Sequence, residues 1–134
     1  MTLRIALRDG EKMIVNGAVL RARGRTELLI ENQVSLLRAR EVMHPDQATT
    51  PARRLYLATM FAYIDEANRE RHRLQVVDML ADLMGVFETA AGRTACLEFA
   101  SFVAVSDYYR ALGACRVLID HEAAVFARIE GEAA

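Results

Sequence analysis

Gly10, Gly17 and Gly24 fall seven residues apart in a segment whose side chains alternate between apolar and polar. That spacing leaves room only for strands of about five residues joined by tight turns, since a crossover helix needs about a dozen residues or more. Leu3, Ile5 and Leu7 share one face of a first strand, and Arg4, Ala6 and Arg8 share the other. Asp9-Gly10 reads as a turn, Met13 and Val15 continue the alternation, and Asn16-Gly17 is a strong hairpin signal because both positions of a type I′ turn need positive φ. Residues 19–23, 26–30 and 34–38 read as further strands, separated by Gly24 and by Glu31-Asn32-Gln33. The pattern predicts a small antiparallel β meander over residues 1–42.

Beyond Glu41 the period changes. Thr50 offers a hydroxyl to an orphan N–H, and Pro51 at the first helical position lacks an N–H to satisfy, so a helix is predicted to start there. Leu55, Tyr56, Met60, Phe61, Tyr63 and Ile64 make it apolar around much of its circumference. A second stripe, Val76, Val77, Leu80, Leu83, Met84 and Phe87, stops before Gly92. A third helix is expected over residues 94–104. Asp107 reads as the N-cap of a fourth that carries Tyr108, Leu112, Cys115, Ile119 and Phe126, with Glu130 to Ala134 expected to fray. Runs of strands followed by runs of helices define an α+β fold. Residues 43–134 are expected to form a bundle of about four helices, packed with the strands as one compact unit.

A chain of 134 residues, 53% hydrophobic and 26% charged, supports a folded core without staples. No apolar run approaches the roughly 18 to 20 residues of a bilayer span, and the amino end lacks the apolar block of a secretory signal. The expected location is the cytoplasm, with no membrane partner. Cys96 and Cys115 sit in apolar helical patterns and are expected as buried free thiols. Charge is unevenly divided. Residues 1–54 hold 10 Lys+Arg and 6 Asp+Glu, a balance of +4, whereas residues 55–134 hold 7 and 12, a balance of −5. Lys12 apart, every cation is an arginine, whose planar fork of donors suits phosphate.

Catalytic motifs are missing. His121-Glu122 opens like a zinc-protease helix but lacks the second histidine four residues on from the first, so no metal site is expected. No glycine-rich loop has phosphate-cradling spacing, and neither Ser101 nor Ser106 lies in a nucleophile elbow. Asp78 and Asp82 read as a solvated face, and Tyr108 and Tyr109 as helix packing. The chain is therefore expected not to be an enzyme and to need no cofactor. What remains is a distribution of arginines suited to neutralising phosphates and stacking on unpaired bases: Arg4, Arg8, Arg21, Arg23, Arg25, Arg38 and Arg40. Arg53 and Arg54 stand in the first turn of the helix begun by Pro51, where the macrodipole disfavours cations, and mark a candidate anion or partner site.

The segments GEKMIVNGAVL (10–20), LLRAREVMHPDQATTPARRLY (36–56) and DYYRAL (107–112) resemble the FlbT family of flagellum biosynthesis repressors, and the resemblance spans nearly the whole chain. It implies a post-transcriptional regulator that associates with the 5′ untranslated region of flagellin mRNA and promotes its degradation or represses its translation. It also implies functional coupling to FlaF. The alternative is a protein-binding module that acts on flagellin or FlaF through its apolar helices without touching RNA. The meander also resembles, over about 40 residues, the carbon-storage regulator family. Short strands with open edges make a homo-oligomer a further expectation.

Overall fold

The computed structural model describes residues 2–133 and has the α+β order expected, five strands followed by four helices among the described residues. It divides into two units. One holds the residues up to Val42 with Ile64–Glu66, and the other holds Met43–Tyr63 and the chain from Ala67 onward.

The strands are β1 (Leu3–Leu7), β2 (Lys12–Val15), β3 (Ala18–Arg21), β4 (Thr26–Ile30) and β5 (Leu36–Arg38). All strand pairings among the described residues are antiparallel, but the neighbour order is not that of a meander. β1 pairs with β4, and β2 lies between β3 and β5. In every pair of β1–β4 and of β2–β3 the two residue numbers add to 33, from Leu3–Ile30 to Val15–Ala18. Residues 3–30 are thus one long hairpin with a bend in the middle. Gly10 and Gly24 have the positive φ of turn residues, 82° and 76°, yet neither reverses the chain. They belong to the two arms of the bend, where Gly10 donates its N–H to the Ala22 carbonyl at 2.8 Å and Ala22 donates to the Glu11 carbonyl at 2.8 Å. The Asp9 carboxylate accepts the Gly24 N–H at 2.7 Å, closing the corner. Glycines one register step from facing each other across a hairpin mark a bend in the paired ribbon, and in one dimension that pattern reads the same as a series of reversals.

The tip itself is as the sequence requires, with Asn16 at φ 49° and Gly17 at φ 85°. Asn16 also sets the fifth strand: its Oδ1 accepts the Ser35 N–H at 2.8 Å, and its own N–H donates to the Ser35 carbonyl at 2.8 Å. The bend folds the ribbon over a small core of Ile5, Leu7, Met13 and Ala22, with Val15, Leu28, Ile30 and Leu36 packed against it.

The helices are α1 (Pro51–Ile64), α2 (Arg69–Met84), α3 (Ala90–Ala104) and α4 (Tyr108–Ala133). Both expected caps are present: Thr50 Oγ1 accepts the Arg53 N–H at 3.3 Å, and Asp107 Oδ1 accepts the Arg110 N–H at 3.2 Å. α2 starts well before its apolar stripe because its first residues, Arg69 to Arg73, are polar. It stops at Met84, leaving Phe87 buried in the connection with its ring edge-on to His121. α3 begins at Ala90 rather than at Thr94, since Thr89 caps it by accepting the Gly92 N–H at 3.0 Å. Glu130 to Ala133, expected to fray, are assigned to the last turn of α4 even though Gly131 is a poor helix former, and Ala134 lies outside the described residues. Leu55, Thr59, Leu83, Cys96, Phe99, Cys115 and Leu118 fill the core of the helical unit. Among the described residues no helix is long and apolar enough to cross a membrane.

Gly17 combines a positive φ with crowding, because a Cβ there would stand 3.2 Å from the Ile64 carbonyl oxygen. Gly17→Ala is expected to lower stability by roughly 1 to 2 kcal/mol, read as a lower urea midpoint at an unchanged m-value.

Candidate functional site

The strand unit contains a concavity of about 430 Å³ lined by Arg4 to Leu7, Glu11, Lys12 and Arg38 to Arg40. Four consecutive residues of β1 contribute because that strand pairs only with β4, so its second edge is left to line the hollow. The opposite wall comes from the end of β5 and the single 3-10 turn Ala39–Glu41 that follows it. Glu41 holds that turn by accepting the Arg38 N–H at 3.0 Å. Glu11 is the one carboxylate among the lining residues, and its Oε1 accepts the Arg8 N–H at 2.7 Å.

Three of the seven arginines singled out in the strands therefore meet in one place, Arg4, Arg38 and Arg40, joined by Lys12. The others do not line it. Arg21 stands directly across the β2–β3 pair from Lys12, Arg23 and Arg25 flank Gly24 at the bend, and Arg8 is exposed beyond the end of β1. Arg4 is engaged by an acid: its Nε lies 2.7 Å from Glu27 Oε1, and its Nη2 donates to Glu27 Oε2 at 3.0 Å. This pair is largely exposed, so it holds Arg4 in place and contributes little to stability. Lys12 stands in the sequence only as the one lysine among the cations, four residues from Arg8, with nothing local to join it to Arg38 and Arg40. Its closeness to Arg38 follows only from the pairing of β2 with β5.

The start of α1 is occupied from within. Glu122, only 2% exposed, accepts the Ala52 N–H at 2.7 Å through Oε2, while Thr50 takes the N–H groups of Arg53 and Arg54 through its hydroxyl and carbonyl. Arg53 and Arg54 themselves point to solvent. A ligand at this end would meet their guanidinium groups without these first-turn donors. Glu122 was visible in the sequence as a polar residue inside an apolar series: it completes the three-and-four spacing of Tyr108, Leu112, Cys115, Ile119 and Phe126.

Cys96 and Cys115 are free and buried. Burial pushes both thiols above their ordinary range, and for Cys115 the neighbouring Glu122 charge and then Cys96 add to the effect. Cys115 Sγ lies 3.5 Å from the Ala52 carbonyl oxygen, at the same helix start that Glu122 caps. Asp78 and Asp82 are exposed, and Tyr108 is buried with the Arg69 guanidinium over its ring. Among the described residues no group of three His, Cys, Asp or Glu side chains is placed to hold a metal.

A family model described as "Flagellar protein FlbT" matches residues 3–126. The chain belongs to the FlbT family. A relative from Caulobacter sp. (strain K31) is 39% identical over 123 residues, 91% of this chain and 94% of its own length. One from Caulobacter vibrioides (strain NA1000 / CB15N) is 37% identical over 123 residues, 91% of this chain and 87% of its own. A third, from Chelativorans sp. (strain BNC1), is 31% identical over 142 positions and covers 98% of both chains. Each is named "Probable flagellum biosynthesis repressor protein FlbT". No solved structure matches the chain at a significant level. Matches to FlbT proteins cover the strands as well as most of the helices, so the arginine-bearing ribbon and the Glu122-capped bundle both lie within the family's span.

Glu122→Ala removes a charged acceptor and leaves the Ala52 N–H without its partner. Unfolding free energy is expected to fall by about 1.5 to 3 kcal/mol, with Glu122→Gln intermediate, measured by urea unfolding. The raised thiols give a pH dependence of known sign. Above about pH 8.5 the unfolded thiols ionise while the folded ones stay protonated, so the unfolded state binds fewer protons and stability falls as pH rises. Between about pH 8.5 and 10, below most lysine and tyrosine titration, that slope should be shallower in Cys115→Ala than in the parent chain.

Proposed function

We propose that this chain regulates flagellum biosynthesis after transcription, by associating with the 5′ untranslated region of flagellin mRNA through the concavity of the strand unit. Its relatives' names support the regulatory role in flagellum biosynthesis. The observation that carries the RNA reading is the convergence of Lys12, Arg38 and Arg40, with the Glu27-paired Arg4, around a single hollow that has one lining carboxylate. Guanidinium and ammonium groups gathered in this way neutralise phosphates and release counterions. The chain performs no chemistry in this scheme. It acts in the cytoplasm by occupancy, promoting decay of the transcript or limiting its translation, with FlaF functionally coupled to it.

The second reading is a protein-binding regulator that holds flagellin or FlaF. It is favoured by the exposed apolar side chains of the helical unit, Leu74, Leu97, Val105 and Val117 among them.

The two readings separate on purified components. Under the RNA reading, the combined change of Lys12, Arg38 and Arg40 to Ala weakens leader binding and flattens the slope of log affinity against log salt by roughly 2, at about 0.7 per lost single-strand phosphate contact. Arg53→Ala with Arg54→Ala leaves both unchanged. Stoichiometric binding of FlaF or flagellin with no affinity for leader RNA supports the second reading and refutes the first.

A further inference from the structure

α2 carries two apolar faces and buries only one. Val76, Leu80 and Leu83 are in the core, whereas Leu74 is 60% exposed, Val77 48% and Met84 40%, with Ala81 exposed between them. The exposed set recurs at intervals of three, four and three residues, the 3.5-residue repeat of a helix seam made to meet another helix. Scattered exposed leucines need no explanation, but a continuous stripe along a four-turn helix does.

The charges beside the stripe say which helix fits. At 100° per residue, Arg71, Asp78 and Asp82 fall along one margin of it, all exposed. The sign runs from positive near the start of α2 to negative toward its end. A second copy laid parallel would turn this margin toward the partner's opposite margin, whose Arg73 is already held by Ser106 Oγ at 3.3 Å. Laid antiparallel, it brings Arg71 of each copy between Asp78 and Asp82 of the other and stacks Leu74 of each against Val77 of the other. This margin is self-complementary under a two-fold axis, which is what an isologous interface requires.

We propose that the chain forms a two-fold symmetric dimer through antiparallel pairing of α2, with a second copy of itself covering the Leu74–Val77–Ala81–Met84 stripe. The helix of 16 residues is about 24 Å long. One such face supplies less than the roughly 800 Å² per partner of a standard stable interface, so the dimer is weak and concentration-dependent.

The test is sedimentation velocity of the full chain from micromolar to sub-millimolar concentration. The parent chain should pass from monomer to dimer, and Leu74→Glu should remain monomeric. Charge reversal makes the test specific. Arg71→Asp alone and Asp78→Arg with Asp82→Arg alone each set like charges opposite one another, and each should weaken association by about tenfold or more. Mixing these two variants should restore a heterodimer, and combining all three changes in one chain should restore the homodimer. The substituted side chains are exposed, and unchanged far-UV circular dichroism confirms that the variants fold. A parent chain that stays monomeric throughout, a dimer indifferent to Leu74→Glu, or a mixture that associates no better than its components would each overturn the proposal. None of these results bears on whether the strand unit binds RNA.

Discussion

A carboxylate withdrawn from water organises the helical unit. Glu122 on α4 accepts the Ala52 N–H in the first turn of α1, across 70 positions of sequence. A negative charge at this end of a helix is favoured by the macrodipole, and the hydrogen bond is charge-assisted. The contact therefore specifies which end of α1 lies beside which turn of α4. The rest of the pairing follows in antiparallel order: the Arg116 guanidinium stands over the Tyr56 ring and donates to its hydroxyl at 3.3 Å, and the rings of Tyr63 and Tyr109 lie 5.6 Å apart. Apolar packing alone would tolerate a slip of α1 along α4 by one turn. A buried acid with one helix start to cap does not.

The strand unit uses a different device for the same purpose. Its register is set at the Asn16-Gly17 tip and carried unchanged through the bend, because Asp9 and Glu11 accept backbone N–H groups from Gly24 and Arg8. Both side chains come from the corner itself. The bend turns a ribbon that would be marginal as an isolated hairpin into two short sheets enclosing Ile5, Leu7, Met13 and Ala22.

Local signals in the sequence were legible where a residue acts on its own neighbourhood. The type I′ turn, the Thr50 and Asp107 caps and the α+β order each depend on chemistry within about four residues. What sequence did not disclose was set by pairing across distance. Whether Gly10 and Gly24 reverse the chain or bend it depends on what lies across the ribbon. The polar first turn of α2 is helical although it has no apolar period, and Phe87 is core without belonging to a helix. The candidate site divides along the same line. Arg38 and Arg40 were findable as a pair at a strand end, whereas Lys12 joins them only through the β2–β5 pairing, and the Glu27 carboxylate that engages Arg4 reaches it only through the β1–β4 pairing.

On the proposed RNA reading, the composition of the strand unit also limits how a nucleic acid would be recognised. Residues 1–54 contain no Phe, Tyr or Trp, so the aromatic platforms on which most single-stranded RNA modules stack bases are missing from its arginine-bearing strands. On that reading stacking would fall to guanidinium planes, and base edges would be read by the same forked donors that hold phosphate. Arg4, held in a two-bond pair with Glu27, presents one orientation of its plane, whereas among the described residues no such carboxylate pair holds Arg23 or Arg25 beside the Gly24 corner. A surface built so would discriminate by the spacing of its cations and the shape of the hollow more than by base identity. A structured leader, which offers phosphates at fixed separations, is the polyanion such a surface would select over an unstructured strand.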